Sequence, residues 1–289
     1  MRMAISIDGN LTNDPARASI PVFDRGFLYG DSIYEVFRTY QGRLFAVNEH
    51  FDRLERSAAA IGLRLPAGRE AILKEIEKTV QAAGTAESYV RLVITRGGGD
   101  IGLDPALADR PRMIILVKEL TLDPKWKSGQ GITLKVVNVR RNYKNALSPA
   151  IKSGNYLNNV LAIAEAKAAG ADDAIMLDFE EKVTESTTSN VFLVKNGVLL
   201  TPPLEVGILE GITRKILLRL AGENGIDVSE KDLWLRDLES ADEMFLCGTI
   251  KEVLPVSALD GKPIGSGRPG PLTMRMSSLF DEFTRRSSL

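Results

Sequence analysis

The chain has 289 residues, of which 44% are hydrophobic and 26% are charged, and its formal net charge is −1. This composition is typical of a globular protein with a sizeable core in two domains, and it gives no general attraction to nucleic acid or to anionic membranes. No apolar run approaches the ~18 residues of a membrane-spanning helix, and the first residues lack a secretion pattern, so we expect no membrane partner. One cysteine and one histidine exclude an internal disulfide and a His/Cys metal site within one chain, and they fit a cytoplasmic location.

The first part of the sequence predicts the order strand, strand, helix, helix, strand, strand. "YGDSIYEVFRTYQG" and "RLFAV" are rich in strand-forming residues around a Gln-Gly turn. Apolar residues then recur at helical spacing in 49–61 and around 72–80, and "SYVRLVIT" and "RMIILVKEL" predict two strands. We interpret residues 1–120 as a smaller N-terminal domain with a mainly antiparallel sheet. His50 is expected to be a polar residue in the first turn of a helix capped by Asn48.

Residues 121–131 hold Asp-Pro, Ser-Gly and Gln-Gly pairs with little periodicity, so we interpret them as an interdomain linker. The remaining residues, 132–289, predict a larger domain rich in β-hairpins with three helices. Its segments are strand "ITLKVVNV", a helix from Tyr156, strand "DAIMLD", a hairpin at Asn196-Gly197, helix 212–223, strands "EMFLCGT" and "EVLPVSAL" with a turn at Asp260-Gly261, and a helix from about Pro271. Strands and helices do not alternate as βαβ units, so we expect an α+β fold and no doubly wound nucleotide-binding sheet.

Lys152 lies just before the helix that follows Tyr156, and the small residues Ser153 and Gly154 come directly after it. These small residues would allow close approach by a ligand or by backbone. The lysine is either an imine-forming amine or a solvated loop residue, and its context alone leaves both possibilities open. The helix itself is expected to bury an apolar stripe made of Leu157, Val160, Leu161, Ala164 and Ala168.

Several other segments suit a bound ligand. Gly211 precedes a helix that begins with Ile212 and Thr213, whose N–H groups and hydroxyl form a possible anion seat, and Gly248-Thr249-Ile250 offers a second. Glu185 precedes five small polar residues and could hydrogen-bond a protonated ring nitrogen. Each segment also fits an ordinary helix start, strand end or solvated turn.

In order along nearly the whole chain, the motifs resemble those of the class IV, fold-type-IV aminotransferases that use pyridoxal 5'-phosphate. They read "DRGFLYGDSIYEVFR", "EHFDRLERS", "YVRLVITRG", "IKSGNYLNNVLA", "VTESTTSNVF", "GITRKI", "GTIKEVLPV" and "DGKPIGSGRPGPLT". The family comprises branched-chain amino acid aminotransferases, D-amino acid aminotransferases and aminodeoxychorismate lyases. The resemblance implies a two-domain fold with a smaller α/β N-terminal domain and a larger pseudo-barrel C-terminal domain that binds the cofactor. It also implies at least a homodimer, because the family's active sites lie between protomers.

The resemblance implies a role for each residue of the cofactor site. Lys152 corresponds to the lysine that forms the internal aldimine and then moves a proton between the substrate Cα and C4' of the cofactor. Glu185 corresponds to the carboxylate at the pyridine nitrogen, and Tyr156 to the tyrosine at the phenolic oxygen. The remaining cofactor contacts are the ring-packing Leu209 and the phosphate-binding residues Arg53, Ile212, Thr213 and Thr249.

The substrate residues favour the branched-chain enzymes. Tyr89 and Arg91 share one strand face and reproduce the Tyr-x-Arg pattern of that subfamily. The Arg-x-His pair that traps the carboxylate in D-specific enzymes is absent, because the corresponding loop "RGGGDIGLDP" holds no histidine. Tyr34 and Val36, in contrast, resemble pocket residues of the D-amino acid enzymes. The other expected substrate contacts are Ile250, Tyr29 and Leu103.

We therefore expect a ping-pong transamination that moves the amino group of L-leucine, L-isoleucine or L-valine to 2-oxoglutarate. The partners are these small molecules and a second copy of the chain. Three alternatives stay open: transamination of D-amino acids or of (R)-amines, a lyase reaction on the same cofactor, and a non-catalytic phosphate-binding module.

Overall fold

A computed structural model of the protein describes residues 2–127 and 129–287. The chain forms two compact units, one made of residues 2–121 together with Ile151–Asn155, and one made of Leu122–Ala150 together with Tyr156–Arg286. The boundary between the two units at Thr121 and Leu122 lies at the start of the predicted linker. Of the predicted linker and domains, Ser128, Met1 and residues 288–289 lie outside the described residues. The short segment that carries Lys152 belongs to the first unit, whereas the prediction placed it in the C-terminal domain.

Six strands of the first unit form one antiparallel sheet. In chain order they are β1 Met3–Ile7, β2 Asn10–Thr12, β3 Ser32–Tyr40, β4 Arg43–Leu44, β5 Ser88–Thr95 and β6 Arg112–Glu119. In space the order is β2-β1-β6-β5-β3-β4. Two-residue turns at Asp8-Gly9 and Gln41-Gly42 join β1 to β2 and β3 to β4. Both residues of each turn have positive φ, as type I′ hairpins require.

Helices cover one face of this sheet. α2 Val47–Ala60 and α3 Arg69–Ala83 pack on it, and the unit also contains the short helix α1 Arg25–Tyr29 and 3₁₀ turns at Pro15–Arg17 and Pro105–Leu107. The core between α2, α3 and the sheet includes Ile33, Phe37, Phe51, Leu54, Ile72, Ile76, Val90, Leu92, Ile94 and Ile115. On β5 the alternate residues Tyr89, Arg91 and Val93 are half-buried on the opposite face, which confirms the predicted division of this strand.

The strands of the second unit form a nine-stranded sheet. They are β7 Ile132–Val136, β8 Asp173–Leu177, β9 Val183–Ser186, β10 Asn190–Lys195, β11 Val198–Thr201, β12 Val228–Glu230, β13 Glu243–Gly248, β14 Glu252–Leu259 and β15 Lys262–Pro263. Their order is β12-β11-β10-β13-β14-β7-β8-β9, with β15 paired to β14. The hairpins predicted at Asn196-Gly197 and Asp260-Gly261 are confirmed, since both turns join neighbouring antiparallel strands.

The described residues of the second unit form five helices. They are α4 Pro124–Lys127, α5 Leu157–Ala168, α6 Ile212–Glu223, α7 Leu235–Glu239 and α8 Pro271–Ser287, and Leu204–Val206 forms a 3₁₀ turn. In the chain, α4 precedes the first strand of the sheet, α8 follows the last, and the other three lie between strands. β7, α5 and β8 form one parallel βαβ unit, an arrangement that the sequence analysis did not anticipate. Among residues 2–127 and 129–287, no helix has both the length and the apolar character needed to span a membrane.

The predicted buried stripe of α5 is wrong. Leu157, Val160 and Leu161 are 69%, 54% and 52% exposed, and Ala164 and Ala168 are also exposed. The buried side of α5 instead consists of Asn159, Ala162 and Ala166. These alanines pack with Val137, Ala171, Ala174 and Met176, so small side chains bring the helix close to the sheet and the larger ones point outward.

Three local predictions also need correction. The strand predicted in "RLFAV" is only Arg43–Leu44, because Ala46 adopts a left-handed conformation and α2 begins at Val47. Ala46, and not Asn48, is therefore the residue at the N-cap of α2, and no side chain caps this helix. The segment interpreted as a linker holds the one-turn helix α4.

The same substitution, alanine to leucine, on the buried and on the exposed side of α5 tests the orientation of this helix. Ala162→Leu should lower the free energy of unfolding by about 1–3 kcal/mol, because an extra isobutyl group must fit into a filled core. Ala168→Leu, at an exposed position of the same helix, should change it by less than about 0.5 kcal/mol. Denaturant unfolding of both variants measures this difference, and equal destabilisation by the two substitutions would contradict the observed orientation of α5.

Candidate active site

The Lys152 segment pairs with the beginning of β3. The Tyr34 N–H donates to the Lys152 carbonyl at 2.9 Å, and the Gly154 N–H donates to the Ser32 carbonyl at 2.8 Å. The Lys152 N–H donates to Ser57 Oγ of α2 at 3.2 Å. A Cβ on Gly154 would lie 2.2 Å from Ser32 Oγ, so a larger residue here would require the Ser32 side chain to move. Gly154, the second residue after Lys152, therefore lies in close contact with β3.

The side chain of Lys152 contacts Tyr34. Lys152 Nζ lies 3.4 Å from the Tyr34 hydroxyl oxygen and 4.5 Å from the ring centroid. The guanidinium carbon of Arg91 lies 3.9 Å from the same centroid. Because Tyr34 is only 5% exposed, both cations rest on a ring that cannot move far. The structure thus brings the predicted catalytic lysine and two predicted substrate residues together within the first unit.

The predicted substrate residues of β3 and β5 share one face of the sheet. Val36 lies opposite Arg91, and Tyr34 lies opposite Val93 in the antiparallel register. Directly opposed residues point to the same side, and Tyr89 joins them because it is two residues before Arg91. This face is the one that α2 and α3 do not cover.

Tyr29 and Leu103 are joined through a loop. The Gly102 N–H donates to the Tyr29 hydroxyl oxygen at 3.2 Å. The buried guanidinium of Arg25 donates to the carbonyls of Gly102 and Leu103 at 2.7 and 3.1 Å. Arg25, which the sequence analysis did not select, thereby fastens the glycine-rich loop to α1. The Leu103 side chain is 80% exposed in the single chain.

Arg53, the predicted phosphate-binding residue, is held by a buried carboxylate. Its Nε and NH2 donate to the two oxygens of Glu35 at 2.7 Å each. His50 Nδ1 lies 2.7 Å from Glu35 Oε2. All three side chains are buried, and Glu35 lies on the helix-covered face of β3 among apolar residues. A carboxylate in such a position needs paired cations or donors.

The charge states of this cluster follow from its burial. Burial raises the pKa of Glu35, but the charge and hydrogen bonds of Arg53, with the hydrogen bond of His50, hold that pKa far below its ordinary value. Burial lowers the pKa of His50 below 6.5, although Glu35 opposes the shift. The neutral imidazole therefore donates from Nδ1, and its Nε2 has no hydrogen-bond partner among the described residues. His50 lies in the first turn of α2 as expected, but it is fully buried against Glu35.

Glu185, at the end of the second unit's β9, is fixed by three donors. Arg141 Nε donates to Oε1 at 3.0 Å, while the Leu209 N–H and Asn190 Nδ2 donate to Oε2 at 3.2 and 3.4 Å. Arg141 also donates to Asn158 Oδ1 at 3.1 Å. The predicted pair Glu185 and Leu209 is thus in direct contact. Arg141 was not predicted from the sequence, because its partner Glu185 lies 44 residues away.

The N-terminus of α6 presents free backbone donors in this unit. Gly211 occupies the N-cap, no side chain caps the helix, and no acidic residue lies in its first turn. Ile212 and Thr213, predicted to bind phosphate, are buried there. A Cβ on Gly211 would lie 1.9 Å from Asn190 Oδ1, so glycine is required at the cap. Such a helix start favours an anion.

The end of β13 offers a second group of donors. Thr249 and Ile250 follow Gly248 and are half-buried. A Cβ on Gly248 would lie 3.4 Å from Ser189 Oγ, a buried hydroxyl that has no hydrogen-bond partner within 2–127 and 129–287. An unused buried hydroxyl and uncapped N–H groups fit the oxygen acceptors of a phosphate ester, so the residues present suit a pyridoxal phosphate cofactor.

Residues 32–259 match the family described as amino-transferase class IV. The chain belongs to the class IV aminotransferases. Enzymes of this family use pyridoxal 5'-phosphate, in agreement with the donors described above, and the two-domain α+β fold-type-IV architecture expected from the sequence is confirmed. The predicted homodimer, the individual residue roles and the cytoplasmic location stay predictions.

The chain is similar to enzymes of both main subfamilies. A protein of Methanocaldococcus jannaschii that bears a branched-chain-amino-acid aminotransferase name is 41% identical over 280 residues, which cover 97% of this chain and 96% of that one. A D-alanine aminotransferase of Listeria monocytogenes is 37% identical over 93% of this chain and 92% of its own. The structure of a branched-chain aminotransferase from Thermoproteus uzoniensis with norvaline has a TM-score of 0.90 at 34% identity, covering 98% and 94% of the two chains.

The buried imidazole predicts a specific pH dependence of stability. Because the folded pKa of His50 lies below the unfolded value of 6.5, the unfolded chain binds the proton first as the pH falls. The free energy of unfolding should therefore drop by about 1 kcal/mol between pH 7 and pH 5.5 through this residue. Urea unfolding of wild type and His50→Gln at both pH values should show a smaller drop in the variant, and equal drops would contradict a neutral His50.

Proposed function

We propose that this aminotransferase moves the amino group of L-leucine, L-isoleucine or L-valine to 2-oxoglutarate. One observation carries the choice over D-amino acids. D-specific relatives trap the substrate carboxylate with an Arg-x-His pair, and the single histidine of this chain is instead buried against Glu35 beside Arg53. It therefore cannot supply that trap.

The residues around Lys152 support a proton-transfer role. Pyridoxal phosphate, when bound, supplies an electron-withdrawing ring that stabilises negative charge at the substrate Cα. Lys152 Nζ carries and returns the proton, and its backbone is fixed on β3 so that the amine is positioned before a substrate arrives. Glu185 would accept a hydrogen bond from a protonated ring nitrogen, and the hydrogen bonds from Arg141 and the Leu209 N–H orient its carboxylate for this role. Tyr156, at the N-cap of α5, would contact the phenolic oxygen.

The substrate face of the first unit supports an α-amino acid with an apolar side chain. Tyr34, Val36 and Tyr89 supply aromatic and aliphatic surface, and Arg91 supplies a cation for a carboxylate of 2-oxoglutarate. The N–H groups of Thr249 and Ile250 would hold the α-carboxylate. The relatives from Methanocaldococcus jannaschii and Thermoproteus uzoniensis, both with branched-chain names, agree with this assignment.

D-amino acid transamination is the second candidate. Tyr34 and Val36 occupy the positions where this chain resembles the D-specific enzymes, and Tyr34 contacts Lys152 directly. The Listeria monocytogenes relative is a D-alanine aminotransferase.

Half-reactions distinguish the candidates. The absorption band of the bound cofactor should change with L-leucine at least about tenfold faster than with D-alanine or an (R)-amine, because the chain lacks the Arg-x-His carboxylate trap of the D-specific enzymes. Stopped-flow spectra with each donor at equal concentration measure these rates. A faster response to D-alanine would reverse the subfamily assignment.

Lys152→Ala serves as the negative control of this panel. It should lose the visible band that wild type shows and should not turn over any donor. Retention of both the band and turnover would contradict the role of Lys152 and, with it, the proposed chemistry.

A homodimer is supported by two exposed apolar surfaces. The α5 stripe, defined by Leu157, Val160 and Leu161, is more than half exposed in the single chain. In the first unit, the segment around α1 and the glycine-rich loop exposes Phe23, Phe27, Ile101 and Leu103. Large apolar side chains grouped in this way are typical of protein interfaces. We infer that a second copy of the chain covers them.

Leu161→Glu tests this assembly. It should raise the dimer dissociation constant at least about tenfold, because a buried interface would gain an unpaired charge. Sedimentation equilibrium measures the change. Lys167→Glu, an exposed substitution on the same helix, should leave the assembly intact, and a monomeric wild type would contradict the inference.

A further inference from the structure

A buried ion pair in the second unit lies beside two segments that carry proposed cofactor residues. Lys251 Nζ lies 2.6 Å from Asp173 Oδ2, and the side chains are 11% and 6% exposed. Lys251 comes directly after Thr249 and Ile250 in the chain. No function described above uses it.

Asp173 accepts hydrogen bonds from the segment that follows Glu185. The Thr187 hydroxyl donates to Oδ1 at 2.6 Å, and the Ser186 hydroxyl donates to Oδ2 at 3.1 Å. Lys251 itself donates to Thr188 Oγ1 at 3.0 Å. One ion pair therefore joins residues 186–188, next to the proposed ring-facing carboxylate, to residues 249–251, next to the proposed anion donors. Residues that are 78 positions apart in the chain are connected in this way.

The Asp173 carboxylate is ionised at neutral pH. Burial raises the pKa of Asp173, but the charge and hydrogen bond of Lys251, together with hydrogen bonds from Thr187 and the Ala174 N–H, hold the pKa below its ordinary value. Removal of one partner would leave an uncompensated charge in a buried position, and the two segments would have to rearrange to hydrate it. The pair therefore fixes their relative position more strongly than a surface contact could.

We propose that Lys251 is a positioning residue of the cofactor site, whose ion pair with Asp173 fixes the Thr249–Ile250 turn against the segment after Glu185. This inference rests on the proposed function, because Thr249, Ile250 and Glu185 have their roles there. Backbone N–H groups at the end of a strand bind an anion well only when their direction is fixed before binding. The ion pair supplies that rigidity, and Lys251 does not itself contact the cofactor.

The test is a double-mutant cycle of Lys251→Met, Asp173→Asn and the double variant. Each single substitution should weaken the affinity of the apoenzyme for pyridoxal phosphate about tenfold and raise KM for the amino donor more than it lowers kcat. The double variant should be no worse than either single one, because both remove the same contact. Spectroscopic titration with pyridoxal phosphate, which needs no substrate, keeps this result independent of the assigned amino acid.

Two controls separate positioning from general stability. Lys251→Arg should restore affinity to within about threefold of wild type. Lys125→Met breaks an equally short pair with the neighbouring Asp172, at 2.6 Å, but the Lys125 side chain is 66% exposed. It should leave cofactor affinity unchanged, and thermal unfolding of all variants shows whether an affinity loss merely follows a loss of stability.

Two outcomes would overturn the proposal. If Lys251 were a direct phosphate ligand, Asp173→Asn would leave affinity unchanged or increase it, while Lys251→Met alone would weaken it. If the pair were only structural, Lys251→Met would unfold at lower temperature with unchanged affinity. Should that variant fail to fold, Thr188→Ala, which removes one hydrogen bond at an exposed residue, should weaken affinity about threefold, and no effect would contradict the proposal.

Discussion

Burial of charge is the constraint on which the arrangement of the proposed site depends. Three of the buried carboxylates form ion pairs with a cation: Glu35 with Arg53, Glu185 with Arg141, and Asp173 with Lys251. A buried carboxylate needs such a cation or several hydrogen-bond donors to stay charged. Each pair therefore forces two distant segments to meet in one geometry. The segments that meet are those to which the sequence resemblance gives cofactor and substrate roles.

The pairs have different consequences for the groups they contain. Glu35 accepts two hydrogen bonds from Arg53, and these orient the guanidinium. The neutral His50 donates a further hydrogen bond to Glu35 without adding a second positive charge. Arg141 and the Leu209 N–H hold Glu185 as an anion, which suits an acceptor for a protonated ring nitrogen. In both cases the functional side chain is fixed by groups that do no chemistry. Rigid placement of this kind lowers the cost of organising a site during reaction.

Local signals in the sequence predicted most of the elements, and long-range pairing accounts for the residues that were missed. Gly-containing turns and strand alternation predicted three of the hairpins and the two faces of β5 correctly. The Asp8-Gly9 turn gives the same signal, but the N-terminus was considered only as a targeting segment. Arg141 and Lys251 carry no local pattern, because their partners lie 44 and 78 residues away. His50 shows the same difficulty, since a polar residue in a helix looks exposed until the strand opposite it contributes a carboxylate.

Helix α5 shows why hydrophobic periodicity can identify an element and still misplace its buried side. Its large apolar residues recur at helical spacing, and the helix exists, yet the sheet accepts the face made of Asn159, Ala162 and Ala166. Asn159 reaches the Thr187 carbonyl at 2.7 Å, and the alanines let the helix approach β8 closely. The side chains of Leu157, Val160 and Leu161 therefore remain exposed in the single chain. Selection for apolar residues acts on the assembled protein, so their pattern reports burial in the proposed dimer and not within one chain.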